Sequence, residues 1–119
     1  MKDYDNIIIC ENGIDEDIIA FNVLDGKYTI GAVHGHKDRV QKVVSNLTCA
    51  TKIDFDMILT AHYHHFSGDE QNEVIVLSNS SLMGTDNYSK NGRLTAKPSQ
   101  NFIVVNENSV CDYIHRIVL

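Results

Sequence analysis

Residues 55–65 read FDMILTAHYHH, and they place three histidines directly after an apolar run. The run at residues 57–59 predicts that residues 55–60 form a buried strand. In an extended segment, residues two positions apart point the same way. His62 and His64 are therefore expected to face one point together, whereas His65 faces elsewhere.

A second histidine pair, His34 and His36, follows the strand predicted at residues 27–33. Residues just past the ends of strands are where α/β and sandwich folds build their sites. Neutral imidazole is a common ligand of Zn, Fe, Co and Mn. Two such pairs at strand ends favour a metal site, and a polar surface cluster is the alternative. His115 stands alone in the last predicted strand, and no role is assigned to it.

The remaining pattern predicts a sheet with one main helix. Asp25-Gly26 is a turn dipeptide in which both residues tolerate positive φ, so residues 17–33 are predicted to form an antiparallel hairpin. Apolar residues recur with helical spacing across residues 37–47, which predicts a helix there. Further strands are expected at residues 6–10, 73–77, 101–106 and 110–119, with a polar loop at 67–72 and a long connection at 78–100.

These elements define the predicted fold class as α+β, with a mainly antiparallel or mixed β-sheet and one main helix. The 119 residues are enough for one small domain, so residues 1–119 are predicted to form a single domain. The net charge is −6, and no cluster of Lys and Arg occurs, which argues against a module that grips nucleic acid by charge alone. A bound metal would bring its own positive charge to a phosphate substrate.

Three cysteines without a CxxC pair argue against a disulfide framework and predict a cytoplasmic protein. Each cysteine is expected to be a small apolar core residue. No apolar run reaches the roughly 18 residues of a membrane span, and the first ten residues do not resemble a signal peptide. No membrane partner is therefore expected.

The order and spacing of two motifs resemble the calcineurin-like metallophosphoesterases. Val33-His34-Gly35 follows one strand, a helix comes next, and Ala61-His62-Tyr63-His64 follows another strand. That family has a strand ending in His-Gly and, further on, a Gly-His-x-His at another strand end. The stretch at residues 81–106 is similar to the corresponding part of phage and prophage members. The resemblance extends from about residue 27 to the C-terminus, and it implies one half of a two-sheet sandwich.

Carried over by position, the resemblance implies metal ligands and no catalytic residue in this chain. His34 and His62 are expected to bind one metal, and His64 is expected to bind a second. His36 and His65 lie outside the motif positions and are expected to surround the site or face substrate. The implied cofactors are divalent ions, Mn, Zn or Fe, with up to two in the complete enzyme. The implied substrate is a phosphate ester, with nucleic acid or nucleotide as candidates.

Two departures from the family pattern matter. The glycine of the second motif is Ala61, a small change that keeps the histidines in place. The motifs of the family's first half, DxH, GDxxD and GNH, do not occur in this sequence. The chain therefore resembles the C-terminal half of such an enzyme, with an incomplete site and little or no activity alone. It is expected to pair with a separately made N-terminal half or to self-associate, because a half-sandwich leaves an apolar face exposed.

Two other interpretations stay open at this stage. The chain could be a stand-alone metal-binding domain whose four ligands are His34, His36, His62 and His64, a set that suits tetrahedral Zn. Alternatively, it could be a degenerate structural or interaction module in which the histidines are remnants. The number of metal ions bound per chain distinguishes a stand-alone metal-binding domain from half of an enzyme site. The presence of a complementing N-terminal half distinguishes half of a split enzyme from a degenerate module.

Overall fold

A computed structural model of the protein describes residues 18–35, 42–61, 66–80 and 97–119. The strand predicted at residues 6–10 lies outside these ranges. The elements, in chain order, are β1 (Ile18–Val23), β2 (Tyr28–Val33), α1 (Val43–Thr51), β3 (Met57–Thr60), β4 (Ser67–Gln71), β5 (Val74–Ser78), β6 (Ser99–Asn106) and β7 (Ser109–Val118).

Five of the strands form one mixed sheet with the order β1-β2-β3-β5-β4, and β6 pairs with β7 in a separate two-stranded sheet. Strands β2, β3 and β5 run parallel, whereas β1 and β4 are antiparallel to their neighbours. The predicted α+β class with a mixed sheet and one helix is confirmed for the described residues. Because β2, β3 and β5 are parallel, their carboxyl ends meet at one edge of the sheet, here called the carboxyl edge.

The five-stranded sheet is the middle layer between α1 and the β6–β7 hairpin. On one face, Val43 and Leu47 of α1 pack with Ile58 and Val76 in one core cluster. On the other face, a second cluster joins Ile30, Met57 and Leu77 of the sheet to side chains of the hairpin, including Ile103, Val110 and Ile114. Neighbouring residues of β3 and β5 thus alternate between the two clusters, as the side-chain period of a strand requires.

The predicted hairpin at residues 17–33 is confirmed as β1 and β2. Its turn has positive φ at Leu24, Asp25 and Gly26, with values of 51°, 52° and 84°. The Lys27 amide donates to the Leu24 carbonyl at 3.1 Å. The Lys27 ammonium and the Tyr28 hydroxyl both donate to the Glu107 carbonyl, which ties this hairpin to the turn between β6 and β7.

The predicted polar loop at residues 67–72 is wrong, because β4 occupies Ser67–Gln71. This strand lies at the edge of the sheet and most of its side chains are exposed, so it lacks the apolar alternation that marks a half-buried strand. Its pairing depends on the backbone of β5 and on a tight turn. Asn72 and Glu73 have φ values of 49° and 66°, as expected of a two-residue hairpin turn with positive φ at both positions.

Helix α1 runs four residues past the predicted end at residue 47. The last turn carries Thr48 and Thr51 beside the small, exposed residues Cys49 and Ala50, so no large apolar side chain there extends the periodic pattern. The helix ends at Lys52, which is left-handed with φ of 59° and whose amide donates to the Thr48 carbonyl. Residues 37–41, the predicted start, lie outside the described ranges. None of the helices in the described ranges has the length and apolar character needed to cross a membrane.

The cysteines only partly match the prediction that each is a core residue. Cys49 on α1 is exposed, which contradicts it, whereas Cys111 on β7 is partly buried beside the hairpin cluster. Burial raises the pKa of the Cys111 thiol, and the neighbouring Asp112 carboxylate raises it further. Cys10 lies outside the described residues.

Gly31 in β2 allows the closest packing seen at any described glycine. A Cβ at this position would lie 2.8 Å from Cε1 of Phe55, whose ring is buried in the α1-facing cluster. We expect Gly31→Ala to lower the free energy of unfolding by about 1–3 kcal/mol, the usual range for overpacking a core. Urea denaturation measures this change.

The matched test of that clash is a double-mutant cycle with Phe55→Leu. If the ring is the obstacle, Gly31→Ala will destabilise the Phe55→Leu protein much less than it destabilises the wild type. Equal effects in both backgrounds would show that the loss comes from the strand backbone and not from the ring.

Candidate functional site

The carboxyl edge of the sheet brings together the starting points of both histidine motifs. His34 follows β2 directly and Ala61 follows β3 directly. The Ala61 amide donates to the His34 carbonyl at 3.1 Å, and the Asn79 amide donates to the Thr60 carbonyl at 2.9 Å. The parallel pairing of β2, β3 and β5 therefore continues past the ends of the strands, and it fixes the backbone from which each motif begins.

The first motif has a local reason for its glycine. Gly35 has φ of 100°, a region that side-chain-bearing residues rarely adopt, so this backbone conformation favours glycine directly after His34. The His34 side chain is exposed at this edge. It lines an open cavity of about 240 Å³ together with Ala61 and with apolar residues of β1 and β2, among them Ile19 and Ala32.

The other predicted ligands, His62 and His64, lie outside the described residues, and so do His36 and His65. The structure thus places one of the three predicted metal ligands and the residue that precedes the second. Across the described ranges, no group of three or more His, Cys, Asp or Glu side chains is positioned to hold a metal ion. Imidazole nitrogen is nevertheless a suitable donor for Zn, Mn or Fe, so the residue present fits such an ion.

His115, to which the sequence assigned no role, points outward from β7. Its Nδ1 lies 3.2 Å from the Tyr113 hydroxyl, and the two rings meet edge to face with centroids 6.2 Å apart. Like His34 it is exposed. It therefore serves as a comparison histidine that has no sequence link to the two motifs.

A group of amide side chains at the end of β5 was not found by sequence reasoning. Asn79 donates from Nδ2 to Oε1 of Gln100 at 3.0 Å and accepts at Oδ1 from Nδ2 of Asn101, also at 3.0 Å. Gln100 donates in turn to the Ser80 carbonyl at 3.2 Å. The available signal was the position of Asn79 directly after an apolar strand, the same position that drew attention to the histidines. This network attaches the hairpin layer to the carboxyl edge.

Two hydroxyl groups are buried at this edge without a partner among the described residues. Thr60 and Ser78 are register neighbours at the ends of β3 and β5, and they are 6% and 2% exposed. In the part of the chain that the structure describes, neither hydroxyl oxygen has a hydrogen-bond partner, and neither does Oδ1 of Asn101. Thr60 and Asn101 also line a second cavity of about 210 Å³. A buried polar atom without a partner lowers the free energy of unfolding. These atoms are therefore available to form hydrogen bonds with a group that enters this part of the edge.

No protein-family model matches the sequence, and no curated protein matches it. Solved structures do match the fold. Vps29 from Entamoeba histolytica, solved as a complex with Zn²⁺, aligns over 86% of this chain and 60% of its own length, with 19% identity and a TM-score of 0.58. Vps29 from Cryptosporidium parvum aligns over 91% of this chain and 60% of its own, with 17% identity and a TM-score of 0.56.

An archaeal phosphodiesterase aligns over 87% of this chain and 51% of its own length, with 20% identity and a TM-score of 0.55. The chain thus spans between half and two thirds of the structures that it matches. At these identities the similarity concerns the fold alone. The chain has the metallophosphoesterase-like fold shared by Vps29 and this phosphodiesterase.

Proposed function

We propose that this chain is the C-terminal, metal-binding portion of a metal-dependent phosphoesterase that hydrolyses phosphomonoesters or phosphodiesters. The observation that carries the proposal is the hydrogen bond from the Ala61 amide to the His34 carbonyl. It joins the two strand ends from which both histidine motifs begin. The fold is shared with a phosphodiesterase and with a Vps29 that was solved with Zn²⁺, which supports metal-dependent phosphate chemistry. Nucleic acid or nucleotide is the proposed substrate class.

In this proposal His34 and His62 bind one divalent ion and His64 binds a second, with Mn, Zn or Fe as the metal. Such an ion lowers the pKa of bound water and polarises a phosphoryl oxygen. The residues of this chain hold and orient the ion, and none of them is assigned a catalytic role. The His34 side chain is exposed at the carboxyl edge, so an ion bound there would be accessible to ligands from another polypeptide.

The test is the number of metal ions bound per chain, measured by elemental analysis after dialysis against Mn²⁺ or Zn²⁺. We expect substoichiometric or weak binding in the wild-type chain, because three histidines divided between two ions complete neither coordination shell. His34→Ala should lower the bound metal at least severalfold, since it removes one of the few ligands present.

His115→Ala is the matched control, because it also removes an exposed imidazole but lies outside both motifs. We expect it to leave metal binding unchanged. Equal loss in both variants would indicate scattered surface binding and would contradict the proposal. One tight Zn per chain, with no second ion, would instead support the stand-alone domain of four histidines.

We further propose that the complete site requires another polypeptide, either a separately made N-terminal half or a second copy of this chain. Among the described residues, the layer opposite the five-stranded sheet has only the two strands of the β6–β7 hairpin. Its outer side carries Phe102, Tyr113 and Ile117, which are 59%, 53% and 44% exposed. Exposed apolar side chains grouped in this way are typical of an interaction surface.

Light scattering at micromolar concentration tests this association. We expect the isolated chain to form dimers or larger species, and Phe102→Lys to shift it towards monomer, because a charge replaces an apolar contact. Leu24→Lys, at another exposed apolar position on the β1–β2 turn, should leave the distribution unchanged. A wild-type chain that is monomeric throughout this range would count against self-association and would leave the N-terminal half as the required partner.

A further inference from the structure

The guanidinium of Arg116 on β7 is held in place by two contacts. Its Nε donates to Oγ of Ser99 at 3.1 Å, and Ser99 is only 1% exposed. Its Cζ lies 4.9 Å from the centroid of the Phe66 ring, within the range of a cation–π contact. A hydrogen bond at one nitrogen and a ring beneath the plane together restrict a side chain that otherwise has many rotamers.

No described residue contacts the rest of the guanidinium. In the described part of the chain, Nη1 and Nη2 of Arg116 form no hydrogen bond, and no carboxylate forms an ion pair with this residue. The protein carries 16 acidic residues against ten Lys and Arg, so a paired arginine would be the ordinary outcome. Because Nε is fixed by a hydrogen bond, the N–H groups of Nη1 and Nη2 are held in one plane, where they can donate together to two oxygens of an anion.

Arg116 lies at the carboxyl edge. Phe66, whose ring it covers, directly precedes Ser67, and Ser67 pairs with Ser78 at the carboxyl end of β5. Asn101 is the register partner of Arg116 on β6, and it donates to Asn79, the first residue after β5. Two independent connections thus place the guanidinium beside the strand ends that carry the proposed metal site.

We propose that Arg116 binds a phosphoryl group of the ligand at this edge. Phosphoryl oxygens match the geometry of the fork, and charge-assisted hydrogen bonds of this kind are among the stronger ones in proteins. Ser99 acts as a positioning residue, because it holds Nε and so aims the two Nη groups. The identification of the anion as a phosphoryl group depends on the proposed phosphoesterase function, whereas the anion site itself depends only on the contacts above.

Inorganic phosphate is the probe, titrated into the full chain in the presence of a chelator and followed by NMR shifts of the amides of Phe66, Ser99 and Asn101. Phosphate is expected to shift these amides in the wild type. Arg116→Gln should weaken the binding about tenfold or more, since it removes a charge-assisted interaction. Arg116→Lys keeps the charge but loses the fork, so an intermediate loss is expected.

Lys52→Gln is the matched control, because it removes one positive charge at the opposite end of the sheet, where α1 ends. Phosphate affinity should not change in this variant. Ser99→Ala keeps the Arg116 charge but removes the hydrogen bond that orients the guanidinium, so it should also weaken phosphate binding. This variant provides a second measurement if Arg116→Gln does not fold. Absence of phosphate-dependent shifts in the wild type, or equal losses in Lys52→Gln and Arg116→Gln, would overturn the proposal.

The chelator separates this test from the metal test. If Arg116→Gln weakens phosphate binding but His34→Ala leaves metal binding unchanged, the anion site is supported and the proposed enzyme function is contradicted. If His34→Ala abolishes metal binding but Arg116→Gln leaves phosphate binding unchanged, the proposed function is supported and the anion site is contradicted.

Discussion

The parallel pairing of β2, β3 and β5 is the constraint on which the site depends. Parallel neighbours need a long connection, and α1 supplies it between β2 and β3. Adjacent strands lie about 4.8 Å apart, so three parallel strands bring their carboxyl ends within roughly 10 Å of one another. His34, Ala61 and Asn79 are 27 and 18 positions apart in sequence, yet they are neighbours along this edge.

The sequence predicted those elements whose signals are local. The Asp25-Gly26 turn was recognisable because its backbone conformation restricts residue type, and the apolar run in β3 was recognisable because both of its faces are buried. β4 was missed because its partner is β5 and its side chains meet solvent, so no apolar pattern marks it. The end of helix α1 was predicted four residues too early, because its last turn contains no large apolar side chain.

The candidate site was predictable in part for the same reason. Histidines at strand ends are visible in the sequence, and the structure shows that β2 and β3 are parallel neighbours with aligned carboxyl ends. The Asn79 network and the contact between Arg116 and Phe66 were not predictable, because each joins elements far apart in the chain. Metal ligation by His34, His62 and His64, a phage origin and a cytoplasmic location stay predictions.

The exposed strand β4 also determines at which edge a further strand can be added to this sheet. The outermost strand carries Asp69 and Glu70 on its exposed surface, and no further described strand pairs with it. Charged edge strands resist the addition of a foreign strand, since like charges would be brought together and hydrated carboxylates would be buried. On this side the protein is protected against the edge-to-edge stacking that begins aggregation. In the proposed assembly, a second polypeptide would therefore meet β1 or the hairpin layer, and the acidic edge would help to set its orientation.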